Sequence, residues 1–429
     1  MNFTRNQIII IGIAGSAVLF FVLILLGVLP GLRQSGTGGG LYGGKQTEIV
    51  FWGIEDETIM RQTIDAYSQI NPSVRITYAQ FPENSFEDSL VDALASGQGP
   101  DIFMFRNSWL PKHYNKIFPA AETQISLARF RQLFPQVAEQ DFTSAARIYA
   151  LPLYVDTLAL IYNKDYFDVK GAAVAPKTWD EFKYLIPRLR EIGSGGKIAK
   201  AALAIGGSEK SVDKAGDLLS LLMFQFGAEM IDKNGQANFS RTGGLEALNF
   251  YLQFGNPSSV YYTWNDNLRP SLDNFSQETT AAILNYASAI PVIKSKNPFL
   301  NLAVAPMLQF NKEKPVNYAD YWGLAVSNQS KNAALAWDFI ISVAANNQIA
   351  EQYLLASKRP PALRDLFKKY QNDPDLGVFV NQTLTAKSWF QPDNNAVKQI
   401  FSNMVESVLN GRLSPEKALE QAENEINNL

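Results

Sequence analysis

From Thr47 onward the chain alternates short β-forming runs with helical ones, and that alternation leaves few folds open. TEIVFWG is an apolar run of β-formers. Glu57 to Ile70 carries Ile59, Met60, Ile64, Tyr67 and Ile70 close to helical spacing. Asn71-Pro72 ends that helix, and VRITYAQF resumes an extended pattern. A helix in SFEDSLVDALASGQG, a Gly-Pro break and the strand DIFMF follow. Strand, helix, strand, helix, strand predicts a parallel sheet covered by helices, the α/β class.

Farther on, ALPLYVDTLALIYNK reads as two extended pieces parted near Asp156. Thr178 and Glu181 form a capping box for the helix in WDEFKYLIPRLREI. Gly193–Gly196 with Lys197 is loop: Glu191 and Ile198 stand where a phosphate-binding loop needs Gly and Ser or Thr. Further helices are expected over 217–230, 243–254, 331–345 and 393–409, with a tail helix capped by Ser414. IDKNGQANFS is a turn on Asn234-Gly235 with too few spaced acids for a calcium loop. Residues 301–307 and 321–326 read as strands.

Ahead of this body lies a different chain. Gln7 to Val28 carries no charge, and about 22 residues span roughly 33 Å as a helix, enough for a bilayer core. It is longer than a signal-peptide core and lacks a clean Ala-x-Ala site, which favours an uncleaved transmembrane anchor. The glycine-rich stretch 30–46 reads as a flexible tether. Such a layout suits a folded domain displayed outside the cell membrane.

Composition removes much enzyme chemistry. Cysteine is absent and His113 is the single histidine, so thiol chemistry and a three-histidine zinc site are excluded. Lys plus Arg number 38 against 41 Asp plus Glu, which argues against nucleic acid as a partner.

Several segments, in order across Thr47–Leu429, resemble the extracellular solute-binding proteins of ABC importers, in the maltose-binding-protein-like branch. They are EIVFWG, ALASGQGPDIFMF, LPLYVDTLALIYNKDYF, PKTWDEF, FSQETTAAILNYAS and WGLAVSNQSKNAALAWDFI. The resemblance implies a two-lobed, periplasmic-binding-protein-like α/β fold with a hinge and an interlobe cleft. The expected lobes are 47–155 with 304–329, and 156–303 with 330–429. Two departures stand out. Glu278 replaces a usual glycine, and Ser288 stands where some sugar-binding members carry a tryptophan platform.

A sugar site pairs flat rings with planar hydrogen-bonding groups, and strand ends facing the cleft are where binding residues gather. By position, the candidate ligand contacts are Trp52, Glu55 and Asp56 after the first strand. Phe105, Arg106, Asn107 and Trp109 follow the third, and Tyr154 and Asp156 lie at the first crossover. Trp264, Tyr286, Tyr321, Trp322 and Trp389 complete the set. Asp56 reads equally as a helix cap, and Tyr321 as pointing away from Trp322. Asp101 reads as structural, Trp179 and Trp337 as core, and His113 as a surface or capping residue.

The resemblance implies a monomeric binding protein that delivers a small-molecule ligand, a carbohydrate first of all, to ABC permease subunits. It needs no cofactor, metal or catalytic residue. An acidic aromatic box of Glu55, Asp56, Asp156, Trp52 and Trp322 would instead suit a polyamine. Peptides, phosphate esters and a sensor role on the same fold stay open. A surface glycoside hydrolase needs only two carboxylates about 5–9 Å apart.

Overall fold

The computed structural model describes residues 46–429, which form one body. The apolar stretch 7–28 lies outside the described residues, as does the tether up to Lys45. Among the described residues, no helix is long and apolar enough to cross a membrane.

The alternation at the start of the body forms as its spacing predicts. β1 (Thr47–Gly53), α1 (Glu57–Ile70), β2 (Val74–Gln80), α2 (Glu83–Ala95) and β3 (Ile102–Arg106) follow in turn. β1 pairs in parallel with both β2 and β3. Asp56 caps α1, its carboxylate accepting the Thr58 N–H at 2.8 Å. Asp101 is structural: it accepts the Val50 N–H at 2.9 Å and the Ser330 hydroxyl.

The chain next runs through β4 (Leu151–Pro152), β5 (Asp156–Thr157) and β6 (Ala159–Asn163). α3 (Trp179–Leu189) begins with the capping box of Thr178 and Glu181. α4 (Ala215–Gln225) stops short of the expected 217–230, because Gly227 turns the chain with φ +81°. Then come β7 (Ala282–Asn285), β8 (Leu302–Ala305), β9 (Asn317–Asp320) and β10 (Trp322–Val326). α5 (Ala333–Ala345), α6 (Asn347–Ser357), β11 (Ala386–Lys387) and α7 (Asn394–Leu409) follow.

Two sheets anchor two lobes. The first has the order β2-β1-β3-β10-β4, with β10 antiparallel to its neighbours. The second is β7-β6-β8, antiparallel throughout. Between them β5, β9 and β11 pair as a small sheet, so the chain crosses on three adjacent strands. Gly323 in β10 is required by packing. A Cβ there would meet the Leu151 carbonyl oxygen at 2.5 Å and the Phe142 ring at 2.7 Å.

Past residue 330, α5 and α6 pack against α1 and the first sheet. Tyr67 on α1 donates to Asp338 at 2.9 Å, and Phe339 meets Phe51 and Tyr67 edge-on. The short link after β10 drops α5 back onto the sheet its own strand belongs to. Trp179 and Trp337 are fully buried, as their apolar spacing requires. Glu278, the departure from a family glycine, has φ +60°, a left-handed conformation that glycine adopts without a Cβ penalty.

Candidate functional site

β3 and β10 end side by side, with Arg106 opposite Trp322 in the register. Arg106 grips Asp320 as a fork: Nε donates to Oδ1 at 3.0 Å and Nη2 to Oδ2 at 2.6 Å. The guanidinium lies 5.7 Å from the centroid of the Trp322 ring. Glu83, in the first turn of α2, stands 3.6 Å from Nη1. Trp322 meets Trp109 edge-on at 5.0 Å, and Phe86 lies against both rings. This wall is a planar cation, a carboxylate and two indoles, all from the first lobe and the crossing strand β9.

A second charged cluster adjoins this wall from the second lobe. α4 begins with Lys214 as its cap residue and Asp217 in its first turn. The Tyr286 hydroxyl donates to Asp217 Oδ2 at 3.0 Å, and the Lys214 ammonium sits 5.5 Å from the Tyr286 ring centroid. Lys398 on α7 reaches within 4.0 Å of the same Asp217 oxygen. Arg106, Trp109, Trp322, Glu83, Asn394 and Lys398 line a cavity of ≈ 480 Å³ between the lobes. A clasp closes one side of it: Lys112 pairs with Glu87 at 2.9 Å and with Asp393, the cap of α7, at 2.6 Å.

Charge in this cleft is held by opposite charge. Burial works against the ionised form of Asp320, but Arg106, Lys214 and Lys398 outweigh it and hold the carboxyl well below its usual range. Burial likewise opposes the charge on Arg106 and on Lys214. Asp320 and the acids around it more than compensate, so both hold their protons more tightly than usual. Lys398 is the exception: burial lowers its affinity for its proton, with Arg106 and Lys214 pushing the same way, and together they outweigh the attraction of Asp217 and Asp320.

Of the residues singled out from the sequence, Arg106, Trp109 and Trp322 line the cavity; Tyr286 does not, and is buried with its hydroxyl on Asp217. Trp52 is half-buried and stacks on Phe81 at 4.5 Å, which continues to Phe86 behind the indoles. Glu55 and Tyr154 join a second buried cluster. Arg359 pairs with Glu55 at 3.2 Å and covers the Tyr154 ring at 4.6 Å, while the Tyr353 hydroxyl donates to Glu55 at 3.1 Å.

The remaining candidates are structural. Phe105 is buried among Phe103, Trp109 and Phe142. Asn107 and Tyr321 turn to the far side of the sheet, where both donate to Asp141, at 3.0 and 2.7 Å. Strand neighbours face opposite sides, so Tyr321 is lost to the cleft for the reason that Trp322 gains it. Trp264 is fully buried and donates to Ser211 at 2.8 Å. Trp389 is buried against Phe401 with its indole N–H on Ser220. Asp156 accepts backbone N–H groups of Thr157, Ala287 and Ser288 at 2.9, 3.0 and 3.2 Å, and burial pushes it up to about 6.

The acidic box suited to a polyamine therefore does not assemble. Asp56 caps a helix, Asp156 is committed to backbone, and Glu55 carries its own arginine. His113 is no surface residue either: it is buried, with Nε2 2.8 Å from Glu87.

Sequence reasoning missed Glu83, Lys214, Asp217, Asp320, Arg359 and Lys398. One signal was present for Asp320, which stands two residues before Trp322 and so shares its face by the period of a strand. Lys214, Asp217 and Lys398 carry no such mark, because only the meeting of two lobes brings them to β3.

The model of the bacterial extracellular solute-binding protein family matches residues 53–350. The chain belongs to that family. Among its relatives are the maltotriose-binding protein of Pyrococcus abyssi and the mannitol-binding protein of Pseudomonas aeruginosa. The first is 23% identical, over 74% of this chain and 65% of that protein; the second is 22% identical, over 85% and 88%. Among solved structures, the sugar-binding protein MalE from Xanthomonas citri aligns with TM-score 0.75 at 20% identity, covering 89% of this chain and 97% of that one. That likeness establishes the maltose-binding-protein type of two-lobed fold, and binding proteins of this family take their solute between such lobes.

Proposed function

We propose that this protein captures a carbohydrate in the cleft between its lobes and presents it to the membrane subunits of an ABC-type importer, releasing the ligand unchanged. The observation that carries the reading is the wall built from Arg106, Asp320, Trp109 and Trp322. Indole faces cover the C–H surface of a pyranose, and the Arg106 guanidinium, fixed by Asp320, keeps N–H donors beyond the two it spends there for sugar hydroxyls. Relatives named for maltotriose and mannitol support the ligand class.

In the same reading, 7–28 is an uncleaved anchor, 30–46 a tether, and the folded domain stands outside the membrane as a monomer. Lobe one comprises 47–155, 304–329 and the two helices that follow. Lobe two comprises 156–303 and the chain from α7 onward. Tethering raises the local concentration beside the importer without any new contact.

A thermal-shift screen against oligosaccharides, sugar alcohols, polyamines and peptides tests the ligand class. Ligand at about 100 times its Kd stabilises the native state by about 2.7 kcal/mol. Sugar hits that Trp322→Ala and Arg106→Ala both abolish support the cleft. Affinities within twofold of wild type in both variants sink it, and release of reducing ends would turn the reading towards a hydrolase.

A further inference from the structure

The hydrogen-bond inventory of the cleft is uneven. Both oxygens of Asp320 are taken by Arg106, and Asp217 Oδ2 is taken by the Tyr286 hydroxyl. Lys398 makes no hydrogen bond among the described residues, and its nearest carboxylate oxygen is that same Oδ2 at 4.0 Å. Lys214 has neither a hydrogen bond from its ammonium nor an ion pair within 4.0 Å among the described residues, and it rests over the Tyr286 ring. Each ammonium carries three donors and no acceptor. Of the other nearby acids, Glu83 is half-exposed beside Arg106, Glu87 is engaged by Lys112 and His113, Glu209 spends Oε1 on the Gly216 N–H, and Asp88 lines the cavity without pairing with either lysine.

We propose that the cleft selects acidic carbohydrates, oligosaccharides bearing a carboxylate such as a hexuronate, which Lys214 and Lys398 hold between them. The proposal rests on the carbohydrate reading above and narrows its ligand class. Neutral hydroxyls are modest acceptors, whereas a carboxylate gives short charge-assisted bonds to both ammonium groups at once. The environment of Lys398 agrees. Burial, Arg106 and Lys214 oppose its charge more than Asp217 and Asp320 support it, and a bound anion adds to that support.

Calorimetry on the full chain in detergent tests this. Maltotriose, galactotriose and xylotriose are each compared with a counterpart in which one sugar is a uronate. The uronate member of at least one pair is expected to bind about tenfold tighter or more. The ratio should shrink between about 50 and about 500 mM NaCl, as screening of a charge contact requires. Lys214→Met and Lys398→Met should each reduce the ratio, and the double variant should bring it close to one. Lys398→Arg keeps the charge and should keep the preference, which separates loss of selectivity from loss of fold.

Neutral members binding as tightly as their uronate partners would overturn the selectivity and leave the carbohydrate reading standing. No binding in any pair overturns both. A preference that survives in the double Met variant assigns it to other residues and overturns the role given to the lysines.

Discussion

Two carboxylates, Asp320 partly buried and Asp141 fully so, lie on opposite faces of the sheet formed by β3 and β10, and the protein treats them in opposite ways. Asp320 faces the cleft and is gripped by Arg106, with Lys214 and Lys398 nearby. Asp141 lies behind the sheet and is held by uncharged donors alone: Asn107, Tyr321, Ser388 and Gln140. Surrounded by cations, Asp320 is held ionised; among neutral groups, burial pushes Asp141 up to about 6. The pair shows how β alternation separates a charged, cavity-side surface from a neutral polar knot. Arg106 and Trp322 go one way, while their chain neighbours Asn107 and Tyr321 go the other.

The largest effect should come from stranding a charge. Asp320→Ala leaves Arg106 buried without its fork partner, and loss of one member of such a pair costs about 3–5 kcal/mol. Urea denaturation measures it, and a loss below about 1 kcal/mol would mean that the cleft charges are solvated.

Asp141 should then show the opposite pH sign. Its folded-state affinity for a proton exceeds that of the unfolded chain, from an ordinary 3.8 to about 6. Its contribution to stability is therefore greatest below about pH 4 and declines as pH rises to about 6, by up to about 3 kcal/mol. Asp320 runs the other way, contributing stability above its unfolded value that is lost as pH falls through the lower folded one. Melting temperatures of wild type and Asp141→Asn from pH 4 to 8 test this. The variant should gain on wild type as pH rises; curves that stay parallel remove the assignment.

A third variant probes the boundary between the two faces. Tyr321→Phe deletes one bond to Asp141 and should cost about 1–3 kcal/mol of stability, with ligand affinity within twofold of wild type. A large loss of affinity would place Tyr321 in the cleft after all. The smallest effect belongs to the clasp. Lys112 and Asp393 are partly exposed, so Lys112→Ala should cost about 1 kcal/mol or less, read as faster ligand release in stopped flow. Unchanged release would show that the clasp does not hold the closed cleft.

Much of this molecule is legible in its sequence, and the legible part has a common character. The first strands and helices, the cap at Asp56, the capping box at Thr178 and the buried Trp179 and Trp337 all follow from neighbours within a few residues. Periodicity and capping act at that range. The order of family-like segments carried the fold further, to two lobes and a cleft.

Of the cavity lining, only what a strand end dictated was legible, at Arg106, Trp109 and Trp322. Trp264 and Trp389 have the composition of binding residues and loop positions to match, yet they fill the core, because an indole buries a large apolar surface wherever its N–H finds a partner. Local sequence thus determined the elements, their faces and the family. The tertiary structure alone decided which charges meet. Lys214, Asp217 and Lys398 reach Arg106 and Asp320 from segments more than a hundred residues from Arg106, and nothing near them in the chain records the encounter.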